Sequence, residues 1–259
     1  MNPQLTIAQK SVSKVSRLIN QIFEQTAKLS QAQREETERF DIFYAQIETE
    51  IAKEILYAYP DHTVETKLTG VHGPAQNKSY WYVSGIVGKQ NFLGGNADFA
   101  VSVAYMVEDK LMAAYVYAPV SQKTYMAVKN EGATLNDIRI RLPRHSGRIS
   151  DALLLTDARS LRKENVMMTA HLHHLSLGVR VLGDEALSIC EMIEGKASAA
   201  WLNAFDPCDH LAAVLIAQEG GALATDFSGN EVDISAENAA FATPKLLKPL
   251  LQSIHQAKR

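Results

Sequence analysis

The chain has 259 residues, and its 26 Lys and Arg residues against 29 Asp and Glu residues leave a net charge of −3. This near-neutral balance excludes a strong general attraction to nucleic acid or to anionic membranes, so composition carries no direct nucleic-acid signal. Apolar residues make up 46% and charged residues 21%, which excludes disorder as the main state and allows a sizeable core.

Membrane and secretion signals are not found in the sequence. The longest apolar run, 211–217, is far shorter than the roughly 20 residues that a membrane-spanning helix needs. Residues 1–23 lack the continuous apolar segment of a secretory signal peptide. The two cysteines, Cys190 and Cys208, lack metal-type spacing. We therefore expect reduced thiols in a cytoplasmic protein with no membrane partner.

The first half of the chain predicts two helices over an antiparallel sheet. Apolar residues recur at helical spacing over 5–29 and 33–58, and Pro60 ends the second helix. The pattern then changes to the alternation that is typical of strands, with a turn at Glu108 and Asp109. Strands are predicted at 80–86, 99–107, 110–117 and 124–128, followed by a turn at 129–132.

The second half predicts alternating strands and helices, which is typical of an α/β arrangement. Strands are predicted at 152–156, 179–182, 197–202, 222–225 and 239–242. Helices are predicted at 163–174, 185–194, 211–218 and 244–256. The stretch 142–150, with its Pro, Gly and basic residues, predicts the boundary between an α+β half (1–145) and an α/β half (146–259) of one compact unit.

Three segments together carry a family resemblance. Segment 81–92 (WYVSGIVGKQNF) resembles the motif W-x-V-D-P-[IL]-D-G-T-x-N-F, and 207–221 (PCDHLAAVLIAQEGG) resembles P-W-D-x-A-A-x-x-L-I-x-x-E-A-G-G. Segment 59–70 resembles a strand that normally ends in a Glu-Glu pair, and residues 1–9 and 131–141 also match. Over essentially its whole length, the chain resembles the inositol monophosphatase family.

This resemblance implies a layered α-β-α-β-α sandwich with the active site between the halves, and a homodimer. It also implies a phosphatase in which clustered carboxylates hold two or three Mg²⁺ ions, because Mg²⁺ prefers oxygen ligands. In such a site the metals neutralise the phosphate, stabilise the leaving oxygen and generate the attacking hydroxide.

The sequence departs from the family pattern at the positions that would hold metal. Ser84 and Val87 stand where the motif has aspartates, and Lys89 stands where it has a threonine that helps to activate water. Lys67 and Leu68 replace the Glu-Glu pair.

Two further positions complete this comparison with the family motif. Ile47 falls on the final aspartate of a D-x-V-T-x-x-D segment, and Asp209 alone keeps a ligand position. One carboxylate does not form a Mg²⁺ site, since this ion keeps its waters unless several ligands cooperate.

We therefore predict a catalytically inactive pseudophosphatase with a binding or regulatory role and no bound cofactor. One bacterial member of the family acts in ribosomal RNA transcription antitermination through protein contacts, which implies a protein partner here. A weak phosphomonoesterase is an alternative, with Mg²⁺ held by Asp209 and by Asp184, Glu185 or Glu65, and inositol monophosphate or a related sugar phosphate as substrate. A second alternative is a non-catalytic partner subunit of an active paralogue.

The residues predicted to contact the substrate also depart from the family pattern. Segment 183–187 (GDEAL) resembles the G-S-A-A-L that lines the inositol pocket, but Asp184 and Glu185 replace small residues and would repel phosphate. Lys67 and Lys89, beside the helix start after Gly88, suggest instead a cleft that holds a small anion without hydrolysing it. The alternative is that both lysines are solvated in an unused cleft.

Three local patterns have structural explanations beside functional ones. Asp209 precedes an apolar helix and is predicted to cap its free N–H groups. The histidines His171, His173 and His174 indicate a polar helix end, since His at i and i+2 does not share a helix face and no carboxylate flanks the group. The basic stretch 139–148 is predicted to be a solvated linker, with contact to a partner as the alternative.

Overall fold

Two β-sheets organise residues 2–27, 37–74 and 78–257, which are the residues that the computed structural model describes. Its α-helices are α1 (Pro3–Ala27), α2 (Thr37–Ala58), α3 (Lys89–Gly94), α4 (Val166–Leu175), α5 (Glu185–Ile193), α6 (Pro207–Glu219) and α7 (Pro244–Ala257). Short 3-10 helices lie at Ile149–Asp151 and Ala158–Leu161. None of these helices combines the length and the apolar character that crossing a membrane requires.

The strands follow the chain in two groups. The first group comprises β1 (Thr63–Thr66), β2 (Gly70–His72), β3 (Ser79–Val87), β4 (Ala100–Val107), β5 (Lys110–Ala118), β6 (Lys123–Val128), β7 (Gly132–Leu135) and β8 (Ile138–Ile140). The second comprises β9 (Leu153–Thr156), β10 (Gly178–Val181), β11 (Ala199–Leu202), β12 (Leu223–Thr225) and β13 (Ala239–Ala242).

The first sheet has the strand order β2-β1-β3-β4-β5-β6-β7-β8. It is antiparallel except between β1 and β3, so the predicted antiparallel sheet is confirmed and is longer than predicted. The predicted turn at Glu108 and Asp109 is also confirmed, and both residues adopt positive φ angles of 47° and 63°. Such φ angles suit a tight hairpin, because they match the twist of the two strands.

The second sheet has the order β10-β9-β11-β13-β12. Strand β9 is parallel to both of its neighbours, whereas β13 is antiparallel to β11 and β12. The predicted alternation of strands and helices is confirmed, with element ends that shift by a few residues. The largest shift is at α6, which begins at Pro207 rather than at 211.

Helices and sheets stack in five layers. Val12 of α1 and Ile51 of α2 pack in one apolar cluster with Trp81 of β3. Helices α5 and α6 lie between the sheets, in a cluster that joins residues of both. Helices α4 and α7 cover the outer face of the second sheet, where Trp201 packs against Leu246. The predicted α-β-α-β-α sandwich is thereby confirmed.

The stretch between the sheets joins β8 to β9. Within it, Leu142 N donates a hydrogen bond to Gly220 O at 2.9 Å, which ties the stretch to the end of α6. The division into 1–145 and 146–259 stays a prediction. The predicted second helix, 33–58, ends as expected before Pro60, while its first residues lie outside the described part of the chain.

Candidate functional site

Several predicted site residues meet where β1 and β3 end. Lys67 directly follows β1, and its backbone N–H donates to Val83 O at 3.1 Å, which extends the pairing with β3. A Cβ on Gly88, just after β3, would lie 3.0 Å from Asp184 Cβ, so the start of α5 adjoins this strand end. The predicted residues gathered in this region are Lys67, Ser84, Gly88, Asp184 and Asp209.

Lys67 forms ion pairs with two carboxylates at the start of α6. Its Nζ contacts Asp209 Oδ2 and lies 3.0 Å from Asp206 Oδ2. Burial favours the neutral amine, but the carboxylates outweigh burial and raise the pKa of Lys67. Burial also opposes ionisation of Asp206, yet the Lys67 ammonium holds the pKa of this carboxyl below its ordinary value. The lysine therefore stays protonated between two negative charges.

Asp206, and not Asp209, caps α6. The Asp206 carboxylate accepts hydrogen bonds from Cys208 N at 3.0 Å and from Asp209 N at 3.2 Å. The prediction that Asp209 caps this helix is wrong, because a capping residue precedes the helix and Asp209 lies in its first turn. Asp209 Oδ2 instead contacts Lys67, and Asp209 Oδ1 is buried without a hydrogen-bond partner among the described residues.

A glutamate of α2 holds the turn that carries Lys67. Glu48 is 0% exposed, and its carboxylate accepts from the backbone N–H groups of Lys67 at 3.2 Å, Leu68 at 2.8 Å and Thr69 at 3.1 Å. Burial raises the pKa of Glu48, although these hydrogen bonds oppose the shift. These hydrogen bonds fix the backbone after β1 and thereby the position from which the Lys67 side chain extends.

Three residues are buried and pack against other side chains at positions that match metal ligands in the family motif. Ser84 Oγ lies 2.7 Å from Tyr44 Oη, and both side chains are buried. Val87 packs in the cluster between the sheets, and Ile47 packs in the cluster beneath α1 and α2. The two aliphatic side chains have no atom that ligates a metal, and the Ser84 hydroxyl is occupied by a phenol.

Lys89 contacts the first turns of α2. Its Nζ lies 2.6 Å from Asp41 Oδ1 and 4.9 Å from the ring centre of Phe40. Gly88, just before it, has a φ of 82°, which glycine adopts most readily. Leu68 is exposed in the turn between β1 and β2. The two lysines of the predicted anion cleft thus pair with carboxylates of their own chain, and the cleft stays a prediction.

Asp184 and Glu185 stand at the start of α5. Asp184 caps the helix, since its Oδ1 accepts from Leu187 N at 2.7 Å, while Oδ2 is buried without a partner among the described residues. Burial raises the pKa of Asp184 well above its ordinary value. Glu185 is half-buried as the first helical residue. Burial thus opposes the charged form of Asp184, while its hydrogen bond with Leu187 N supports it.

The acidic side chains near Asp209 do not converge on a metal site. Within the described ranges, no group of three or more His, Cys, Asp or Glu side chains is arranged to hold a metal ion. Cys208 is buried with its Sγ 3.6 Å from Glu65 O, and burial raises the pKa of this thiol. Its thiolate is therefore disfavoured. An ammonium beside Asp209 and aliphatic side chains at 47 and 87 do not fit a Mg²⁺ site.

The family model described as the inositol monophosphatase family matches residues 1–259. The chain therefore belongs to the inositol monophosphatase family, and the resemblance read from its motifs is confirmed.

Named relatives are similar over nearly the whole chain. A SuhB protein of Neisseria meningitidis serogroup B is 30% identical over 264 residues, covering 98% of each chain. Nus factor SuhB of Pasteurella multocida is 27% identical over 259 residues, covering 98% of this chain and 96% of the relative.

Solved structures share the fold. The extragenic suppressor protein suhB of Bartonella henselae superposes with a TM-score of 0.87 at 19% identity, covering 98% of this chain and 100% of that one. The inositol monophosphatase of Anabaena superposes with a TM-score of 0.84 at 21% identity, covering 98% and 95%. These likenesses bear on the fold alone.

Asp206 and Glu48 are the two acids of this region that the sequence-based prediction missed. A signal for Asp206 exists, because Asp directly before Pro is typical of a helix start, with the acid as cap and Pro as first residue. A weaker signal exists for Glu48, which lies on the apolar stripe of α2 beside Tyr44, Ile47 and Ile51. An acid on such a stripe needs buried partners, but spacing does not say which.

Proposed function

We propose that this chain is a non-catalytic member of the inositol monophosphatase family with a binding or regulatory role. The contact of the Lys67 ammonium with Asp209 and Asp206 carries the proposal. Lys67 matches a metal-binding glutamate of the family motif, and Asp209 matches a retained metal ligand. A cation attached to the chain takes the charge-balancing role that a bound Mg²⁺ would have.

The donor chemistry supports loss of phosphatase activity. Mg²⁺ demands several oxygen ligands in near-octahedral geometry, and it gives up its waters reluctantly. A divalent ion at Asp209 would have to displace Lys67 against the attraction of two carboxylates. Ser84 offers only a neutral hydroxyl, which is bonded to Tyr44. We therefore derive no hydrolytic step through a metal for this chain.

The similarity to Nus factor SuhB proteins supports a regulatory role of the same kind, exerted through protein contacts in transcription. We include in this proposal a cytoplasmic setting and assembly as a homodimer or with a protein partner. The two cysteines are unpaired and buried, as fits a reducing compartment. A partner subunit of an active paralogue is the alternative, and mass measurement of the complex isolated from cells distinguishes the two.

Phosphatase activity and Mg²⁺ binding test the proposal. Purified protein is assayed on inositol-1-phosphate and on an aryl phosphate, with and without Mg²⁺, beside Asp209→Ala as the contamination control. We expect equal, background rates from both proteins and no calorimetric signal for Mg²⁺. Turnover that needs Mg²⁺ and vanishes in Asp209→Ala would instead establish the weak phosphomonoesterase, with Asp184, Glu185 or Glu65 as further ligands to test.

A second variant tests the role of the lysine directly. Lys67→Glu combined with Ser84→Asp and Val87→Asp restores three of the carboxylates of the family motif, and the double variant Ser84→Asp with Val87→Asp isolates the contribution of residue 67. We expect this triple variant to bind Mg²⁺ where the natural chain does not, because the ammonium is replaced by a ligand. If the triple variant folds, as circular dichroism reports, and still binds no Mg²⁺, the exchange at 67 does not explain the loss.

A further inference from the structure

A basic cavity lies at the end of α6 opposite to the Lys67 ion pairs. With 13 residues, α6 separates the two places by about 20 Å along the helix axis. The cavity has a volume of about 630 Å³, and its walls include Arg141, Arg144, His145, Thr243 and Lys245. Of the side chains that the structure describes, no acidic one lines it. The ion pairs found among the described residues involve neither these arginines nor Lys245.

Close backbone contacts build the walls of this basic cavity. Leu142 N donates to Gly220 O at 2.9 Å, which holds the linker, the stretch between β8 and β9, against the end of α6. A Cβ on Gly221 would lie 3.2 Å from Arg141 Nε, so this glycine lets the guanidinium approach the backbone. A Cβ on Gly147 would lie 3.0 Å from a backbone carbonyl in the first turn of α7. The linker is therefore packed against both helices, and the cavity is formed before any ligand binds.

Thr243 supplies an unpartnered donor in the cavity wall. The residue is 8% exposed, and its Oγ1 is buried without a hydrogen-bond partner among the described residues. Its backbone carbonyl accepts from Leu246 N at 2.9 Å and from Leu247 N at 3.0 Å, but its hydroxyl does not cap the helix. A buried hydroxyl without a partner is costly, and a bound acceptor would remove that cost.

The start of α7 adds a second attraction for anions. This helix has 14 residues, and the partial positive charge of its N-terminus lies next to Thr243. Pro244 has no N–H, and the N–H groups of Leu246 and Leu247 already bond Thr243 O, which leaves the N–H of Lys245 in this first turn for a phosphate oxygen. Arg141, Arg144 and Lys245 add three formal positive charges around the same space. Arginine in particular suits phosphate, because its planar fork donates two parallel hydrogen bonds.

We propose that the basic cavity binds a small anion carrying two linked phosphate groups, as in inorganic pyrophosphate or the diphosphate of a nucleotide. Three cations and a helix N-terminus balance the two to three negative charges of such a group. The volume lies within the usual range for small-molecule sites, roughly 300–1,000 Å³, and exceeds what a single phosphate fills. The basic stretch 139–148 thus forms one wall of a ligand site.

Calorimetric titration of the full chain with pyrophosphate, in buffer without divalent ions, tests this site. We expect one binding event per chain that weakens as salt rises. Lys245→Gln and Arg141→Gln are each expected to weaken binding about tenfold or more, since each removes a charge-assisted contact. Thr243→Val keeps the shape of the side chain and is expected to weaken binding about fivefold. The matched control is Lys248→Gln, an exposed residue of the same helix outside the cavity, which leaves binding unchanged.

Two further titrations separate the sources of the diphosphate group. Tighter binding of ADP than of pyrophosphate supports a nucleotide, and tighter or equal binding of pyrophosphate supports the free anion. Inorganic phosphate that binds as tightly as either would overturn the assignment of two phosphate groups. So would no binding at millimolar pyrophosphate, or unchanged affinity in Lys245→Gln and Thr243→Val. Circular dichroism melts show that the variants compared are folded.

Discussion

At the scale of single residues, the exchange of one charged side chain changes what the start of α6 attracts. A glutamate at 67 would place three carboxylates together with Asp206 and Asp209, and their mutual repulsion would favour a bound cation or a proton. Lys67 places an ammonium there permanently, in contact with Asp209 and 3.0 Å from Asp206. The charge balance that a metal would complete is therefore complete within the chain.

Removing this ammonium is expected to destabilise the fold. Lys67→Met leaves Asp206 and Asp209 as neighbouring charges, and we expect the free energy of unfolding at pH 7 to fall by about 1 kcal/mol. The figure is modest because the Lys67 side chain is 35% exposed and solvent screens its charge. Urea unfolding measures it. The control Lys53→Met breaks an exposed pair with Glu50 on α2 and should cost no more than about 0.5 kcal/mol. Equal costs would contradict the role of Lys67.

The same ion pairs predict a pH dependence. The pKa of Asp206 is lower in the folded protein than its ordinary value of 3.8. The ionised carboxylate therefore stabilises the fold fully above pH 3.8, and this stabilisation is lost as the pH falls through the pKa of the folded state. The pKa of Lys67 is raised, so its contribution is present below 10.5 and is lost as pH rises through the higher folded value. The stability difference between the natural chain and Lys67→Met is therefore expected to be flat from about pH 5 to 9 and to shrink outside it. Unfolding curves across this range test the shape, and a difference that keeps growing below pH 4 would contradict it.

At the scale of elements, α2 determines the conformation of the turn after β1. Glu48 reaches from this helix to three consecutive backbone N–H groups of the turn, at 2.8 to 3.2 Å. Lys67 N also bonds Val83 O, and Thr69 N also bonds Thr66 Oγ1, whereas Glu48 is the acceptor of the Leu68 N–H. The helix and the strand end are thus coupled through one carboxylate.

Truncating Glu48 is expected to be among the costlier changes on α2. Glu48→Ala leaves the Leu68 N–H without its acceptor, while Lys67 N keeps Val83 O and Thr69 N keeps Thr66 Oγ1, and we expect a loss of about 1–3 kcal/mol in the free energy of unfolding. Glu50→Ala on the same helix removes only an exposed pair with Lys53 and should cost about 0.5 kcal/mol or less. Chemical denaturation of both variants measures the contrast. A Glu48→Ala variant as stable as Glu50→Ala would show that water replaces the carboxylate without penalty.

At the scale of the whole molecule, α6 connects two places of different charge. The middle of this helix, 211–217, is buried between the sheets. The Lys67 ion pairs lie at its start, and the basic cavity adjoins its end. Packing of one helix against both sheets favours unfolding of the molecule as one unit.

Tryptophan fluorescence tests this cooperativity, because the only two tryptophans of the chain, Trp81 and Trp201, lie in different sheets. Trp81→Phe leaves a probe in the second sheet, and Trp201→Phe leaves one in the first. We expect the fluorescence midpoint of each variant to coincide with its own midpoint by circular dichroism. Transitions that separate within one variant would show that residues 1–145 and 146–259 unfold independently, against the prediction of one compact unit.

Much of the fold follows from local patterns. The helical spacing of α1, the alternation in β4 to β6 and the hairpin at Glu108 and Asp109 depend on residues close in sequence, so the chain alone predicts them. Strands β7 and β8, with four and three residues, are missing from the prediction, because such short strands show too few alternations to recognise. The start of α6 was misplaced because Asp206 and Pro207, which begin it, precede the apolar run.

The sequence by itself determined the family and the layered architecture, since these depend on residue types in motifs, and it predicts which residues stand at the metal-ligand positions. Only the tertiary structure decided where the replacing charges go. Lys67 and Asp209 are 142 positions apart, and Lys89 and Asp41 are 48 apart, so no local pattern pairs them. The basic cavity likewise needs the linker, the end of α6 and the start of α7 together. The strength of a charge interaction depends on the distance between the two groups in space, and only the folded structure brings residues that are far apart in sequence within that distance.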